Sequence, residues 1–81
     1  MPRYHPLKRR VVIKVLESHG FKFDRMKGGH AQYEHADFRG KRRLVTVPFY
    51  DEFSPVGDVL KGIFQQSAIS KKDFYKAAAH L

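Results

Sequence analysis

His30 follows Lys27-Gly28-Gly29 and stands between two short alternating runs, Phe21-Lys22-Phe23-Asp24 and Ala31-Gln32-Tyr33-Glu34. Period-two alternation on both sides of a Gly-Gly break reads as a β-hairpin with the histidine at its turn. A histidine, with an unperturbed pKa of about 6.5, can give or take a proton near working pH. Lysine and arginine beside it can hold a phosphate, arginine through its planar fork. Such a set can cleave an RNA strand without a cofactor. The ribose 2′-OH attacks its own phosphate, one group removes its proton, a second protonates the leaving oxygen, and cations stabilise the charge on phosphorus. The need for a 2′-OH makes this chemistry specific for RNA over DNA.

The other four histidines have plainer explanations. His5 falls in an N-terminal coil and His80 next to the last residue. His19 closes a helix, where the helix dipole accounts for it. His35 has the strand parity opposite to that of His30, so it points toward the core side as a polar residue at the core edge. That opposition also makes the pair poor geometry for one metal ion, and no metal or other cofactor is expected. Lys27-Gly28-Gly29 is not a phosphate-binding P-loop, because the Gly-Lys-Ser/Thr ending is absent. Ser18, Ser54, Ser67 and Ser70 sit where helix ends or surfaces explain them. Tyr33, Phe21 and Phe23 read as core rather than as base-stacking rings. Asp51 and Glu52 make a local negative patch and no paired-carboxylate site.

Charge supplies the partner. Sixteen Lys and Arg against eight Asp and Glu give a net charge of +8 and a pI near 10.1. So much positive charge on a small domain points to a polyanion, and to nucleic acid before others. The run Arg39, Lys41, Arg42, Arg43 then reads as phosphate contacts rather than only a solvated turn. The 81 residues suffice for one small domain, 1–81, with a compact core and little room for an enclosed cofactor cavity. The absence of cysteine excludes disulfides and thiolate metal sites and is compatible with a cytoplasmic setting. No apolar run approaches the roughly 18 residues of a membrane span. The basic start MPRYHPLKRR is followed by no long apolar segment, so a signal peptide is not expected.

The elements that must hold His30 can be read in order. Residues 1–6, with two prolines, form an arm. Leu7 to His19 is predicted as a helix, with Leu7, Val11, Val12, Val15 and Leu16 on one face and Arg9, Arg10, Lys14 and Glu17 on the other. Gly20 stops it. A three-residue loop, Lys27-Gly28-Gly29, would pair Phe23 with Tyr33 and Phe21 with His35 and bury Phe21, Phe23, Ala31 and Tyr33 on one face. His30, Gln32 and Glu34 then lie on the other face. Strict alternation turns Arg25 toward the core side unless the strand bulges before the turn. Residues 36–41 make a second turn, and Arg42 to Val47 a third strand with Val45 and Val47 inward, ended by Pro48. Phe49 to Phe53 is a loop. Ser54-Pro55 is predicted to open a helix carrying the stripe Val56, Val59, Leu60, Ile63, Phe64, Ser67. Ser70 and Asp73 cap a last helix over 71–79. The order α-β-β-β-α predicts an α+β fold, a three-stranded antiparallel sheet with helices on one face and the other open to solvent. That is the layout of double-stranded-RNA-binding domains.

The residues Gly20-Phe21, Arg25, Lys27-Gly28-Gly29-His30, Tyr33 and His35, with Val45-Thr46-Val47-Pro48 and Gln66 to Ser70, resemble the HicA toxins of bacterial and archaeal toxin–antitoxin pairs. The likeness runs from about Leu7 to Phe74. Two departures stand out: Gly29 replaces a common serine, and Asp58-Val59 replaces the usual Gly-Thr. The resemblance implies a toxin that acts as a ribosome-independent mRNA endonuclease on a fold like that of double-stranded-RNA-binding domains. It implies that His30 is the catalytic histidine and that a HicB-type antitoxin blocks the active face. With it, Lys27, Gly28, Gly29, Arg25, Arg42 and Arg43 are the expected RNA-binding residues. Two other classes remain open at this point. One is a non-catalytic RNA-binding module. The other is an interaction protein whose basic face meets an acidic partner.

Overall fold

The computed structural model describes residues 4–81; the first three residues of the expected N-terminal arm lie outside the described residues. The chain runs β1 (Leu7–Lys8), α1 (Arg9–Ser18), β2 (Lys22–Lys27), β3 (His30–Phe38), β4 (Lys41–Val47), β5 (Glu52–Phe53), α2 (Asp58–Ser67) and α3 (Lys71–Ala79). Strands β2, β3 and β4 form the expected antiparallel sheet in that order, and the fold is α+β. Ala31, Tyr33, Val45 and Val47 are buried on the helix side of that sheet, joined by Val12, Val15 and Leu16 of α1, Leu60 and Ile63 of α2, and Phe74 of α3. Each such side chain, fully withdrawn from water, stabilises the fold by about 1.5–3 kcal/mol.

The predicted first helix was two residues too long at its start. Leu7 and Phe53 are both buried, at 2% and 1% exposure. Bringing them together makes β1 and β5 a two-stranded antiparallel ribbon, with Leu7 opposite Phe53 and Lys8 opposite Glu52. Part of the expected 49–53 loop is therefore strand. The Arg9 amide donates to the Asp51 carbonyl at 3.1 Å, so the ribbon also satisfies an N–H at the start of α1.

Ser54-Pro55 opens a turn rather than a helix. The Gly57 amide donates to the Ser54 carbonyl at 3.1 Å and the Val56 amide to Ser54 Oγ at 3.3 Å. Proline at the second position of such a turn supplies the φ it requires. Helix α2 starts after Gly57, and Val56, the first residue of the predicted stripe, is 92% exposed. The last helix agrees with expectation: Ser70 Oγ accepts from the Asp73 amide at 3.2 Å, a cap contributing about 1 kcal/mol.

The β2–β3 hairpin departs from expectation in two places that cancel. Its loop has two residues, not three: Lys27 pairs with His30, and Gly28 and Gly29 turn the chain with φ of 58° and 82°. Positive φ at both central positions matches the right-handed twist of the flanking strands and is why two glycines stand there. By itself this loop would have put Phe23 on the face of Glu34. A bulge at Asp24, between Phe23 and Arg25, restores the parity, so Phe23 still opposes Tyr33. Phe23 is not buried, however. All six residues of β2 are exposed, Phe23 at 53%, because β2 is the outer strand of the sheet. The other outer strand, β4, is covered: the Thr46 amide donates to Gln66 Oε1 of α2 at 2.9 Å.

Gly20 joins α1 to the hairpin at φ 92°, and a Cβ built there would lie 2.8 Å from His35 Nε2. Gly20→Ala combines backbone strain with that clash. It is expected to cost about 1–3 kcal/mol, read as a lowered thermal midpoint; a midpoint within two degrees of wild type would contradict the close packing.

Candidate functional site

His30 opens β3 and is exposed, with its neighbour Ala31 buried on the opposite face. Gln32 and Glu34 follow on the face of His30, as do Lys27 and Arg25, the register partners of His30 and Gln32. Register partners bring their Cβ atoms to about 5 Å of one another, and diagonal neighbours to about 7–8 Å. A histidine, a lysine and an arginine therefore share one end of the helix-free face. Arg25 reaches this face through the two-residue turn, which pairs it with Gln32; the bulge beyond it, at Asp24, instead keeps Phe23 opposite Tyr33. Two glycines border the histidine without side chains, and a Cβ at either would meet no atom of the described residues within 4 Å, so the approach from the turn is open.

The other predicted RNA-contacting residues divide. Arg42 lies on the open face, two residues before Leu44, and its Nε donates to Glu34 Oε2. The pair is largely solvent-exposed and so contributes little to stability, but it places a guanidinium beside the sheet surface. Arg43 is not brought to the site. It opposes His35, on the helix side, and its Nε donates to the Phe38 carbonyl at 3.0 Å. There it closes the β3–β4 turn, where the chain reverses at Arg39 and Gly40. Arg25 Nε also donates to the adjacent Asp24 carboxylate at 3.0 Å, a surface contact that an incoming phosphate can replace.

The remaining histidines are engaged elsewhere. His35 lies on the core side as expected. Its ring packs against Phe21 and Phe38 at centroid distances of 5.3 and 5.2 Å, and its Nδ1 accepts from the Asp37 amide at 3.0 Å. His19 Nδ1 donates to the Val15 carbonyl at 2.8 Å, closing α1. His5 Nδ1 donates to the Pro6 carbonyl at 2.9 Å, and His80 ends α3. Among the described residues no side-chain hydrogen bond holds the His30 ring, which leaves both nitrogens to a ligand. No group of three or more His, Cys, Asp or Glu side chains gathers among the described residues.

Beneath the site, burial pushes the Tyr33 phenol above its ordinary range, the Glu17 carboxylate adds to the rise, and the Arg9 guanidinium opposes it. Arg9 packs on Phe49, which stands two residues after Val47, the register partner of Ala31, so the N-terminus of α1 lies at the same end of the sheet as His30. A feature the sequence reading passed over lies there too. Phe49 and Tyr50, in the loop between β4 and β5, are 52% and 54% exposed. Two adjacent aromatic residues directly after a strand-ending proline were the available signal.

Geometry of this kind, a basic α+β domain with a free histidine and cations on the helix-free face of its sheet, defines a small domain suited to a polyanionic ligand. The chain belongs to the HicA toxin family of bacterial toxin–antitoxin systems, whose family model matches residues 9–69. No curated protein and no solved structure matches it. Membership makes it the toxin of a toxin–antitoxin pair, with an antitoxin partner. No helix among the described residues is long and apolar enough to cross a membrane.

Proposed function

We propose that this toxin is a metal-independent endoribonuclease that cleaves mRNA in the cytoplasm, with His30 as its proton-transfer group. The carrying observation is the placement of His30: exposed, paired with Lys27, on the face that no helix covers. A strand laid over this face presents a phosphate to Lys27 and Arg25. The 2′-oxygen forms a bond to phosphorus while the bond from phosphorus to the 5′-oxygen breaks, leaving a 2′,3′-cyclic phosphate and a 5′-hydroxyl. His30 takes the proton from the 2′-OH or gives one to the departing oxygen, and the cations balance the added charge on phosphorus. Gly28 and Gly29 let the RNA backbone approach the turn closely. Arg42 adds a contact further along the face. A HicB-type antitoxin inhibits by covering the same face.

The test is a defined RNA incubated with the protein in excess chelator. The expected result is cleavage that persists, ends in a cyclic phosphate, and stops when the nucleotide 5′ to the cut carries 2′-deoxyribose. Cleavage that requires a divalent ion, or that tolerates the deoxy substitution, would refute the mechanism. Salt-sensitive RNA binding without products would instead make the domain a non-catalytic RNA-binding module.

A further inference from the structure

The β4–β5 loop leaves the sheet beside the His30 turn. Val47 opposes Ala31, so Pro48 exits next to His30, and chain geometry keeps the Phe49 Cα within roughly 17 Å of the His30 Cα. The loop is fixed at both ends, by β4 before it and by the β1–β5 ribbon after it, and the Arg9 amide holds the Asp51 carbonyl. Its two rings are half exposed although a buried hydrophobic core lies close by. The Arg9 guanidinium carbon sits 4.2 Å from the centroid of the Phe49 ring. Arg9 Nε is buried with no hydrogen-bond partner among the described residues, an unsatisfied charged donor that is costly to leave unpaired. Lys8 and Arg10 are exposed beside it, and these residues with Phe49, Tyr50 and Asp51 line an open recess of about 340 Å³. Three cations against the single carboxylate of Asp51 make the recess electropositive.

We propose that Phe49 and Tyr50 form a stacking platform for an unpaired base of the RNA strand that His30 cuts, with Lys8, Arg9 and Arg10 holding the adjoining phosphates. The proposal rests on the ribonuclease reading and adds where the rest of the substrate goes. The strand crosses the open face at His30, passes over the end of the sheet beside Pro48, and places a base on the rings. Exposed rings interleaved with cations are how single-stranded nucleic acid is held without sequence readout, since every base offers a face to stack. Paired RNA cannot splay a base onto the platform, so the substrate is single-stranded at and beside the cut.

The experiment uses full-length His30→Ala protein, to prevent cutting, and a single-stranded RNA carrying 2-aminopurine. Binding is expected to quench the fluorophore. Phe49→Leu and Tyr50→Leu should each remove part of the quenching and weaken binding roughly ten-fold, with circular dichroism and melting unchanged because both rings are on the surface. Arg10→Ala should instead lower the salt dependence of binding. In the His30 background the same ring changes should slow cleavage of dilute RNA. Ring variants that bind RNA as His30→Ala protein does and, with His30 restored, cut it as wild type does would overturn the platform and leave the ribonuclease reading standing. Ring variants that keep RNA but lose the antitoxin would overturn it in favour of a protein contact. Wild-type protein that neither binds nor cuts RNA would overturn both readings.

Discussion

His30→Ala should leave a folded protein that no longer cuts RNA or arrests growth. The ring is exposed and no side-chain hydrogen bond among the described residues engages it, so its removal should change stability by no more than about 0.5 kcal/mol. Proton transfer by a positioned side chain contributes typically about 10²–10⁴-fold to a rate, and no other histidine can substitute. His35 faces the helices, His19 closes α1, and His5 and His80 lie at the chain ends. Cleavage of a defined RNA should therefore fall at least about a hundred-fold, with unchanged circular dichroism and an unchanged melting curve. Retained cleavage would remove His30 from the chemistry. Lost cleavage accompanied by a lost fold would make it a structural residue. Binding of RNA should survive, because the phosphate contacts proposed for Lys27, Arg25 and Arg42 do not depend on the imidazole.

Phe21→Ala should have the largest effect on stability. Phe21 is 1% exposed and is the first residue after Gly20, where the chain leaves α1 for the hairpin. Its amide donates to the Leu16 carbonyl at 3.0 Å. Its ring touches His35 and Phe38 at centroid distances of 5.3 and 5.4 Å. Truncating a buried phenylalanine costs about 3–5 kcal/mol, from lost burial plus the cavity left behind. The whole stability of a domain is about 5–15 kcal/mol. At roughly 4–8 °C per kcal/mol for a domain this small, the thermal midpoint should drop by at least ten degrees or so, read by calorimetry. A drop of only a few degrees would show that the site collapses around the cavity. Phe21→Leu should cost far less, which separates loss of volume from loss of the aromatic contacts.

The strands of the sheet, the inward valines, the last helix and the face of His30 were legible because local patterns and burial agree there. Val45 and Val47 alternate with polar neighbours, and Ser70 with Asp73 gives a cap whose geometry needs only four residues. The errors fell where distant contacts decide. Leu7 is a good helix residue by spacing, and only the burial of Phe53 opposite it makes it a strand. Val56 fits a helical stripe, but Ser54 and Gly57 close a turn around Pro55 first. Phe23 alternates like a core residue, yet it stands on the outer strand, and strand order is not written in any one strand. At the candidate site, the placement of Lys27 and His30 on either side of the Gly28-Gly29 turn was legible. Arg43 was misplaced because a run of basic residues does not state which of them point to which face. Phe49 and Tyr50 were missed because an aromatic pair in a loop looks the same whether it is buried or exposed.

The bulge at Asp24 gives the hairpin an unequal tolerance to changes in length. Asp24 is the surplus residue of β2: with it gone, Phe23 opposite Tyr33 and Arg25 opposite Gln32 would be consecutive rungs of a regular ladder. A deletion there shortens the chain without turning Lys27 or His30 to the other side. A deletion at Gly28 or Gly29 leaves no two-residue reversal, so the strands must slip and every side chain changes sides. The hairpin can thus shed Asp24 and keep Lys27 and His30 on one face, whereas at the turn it can shed no residue.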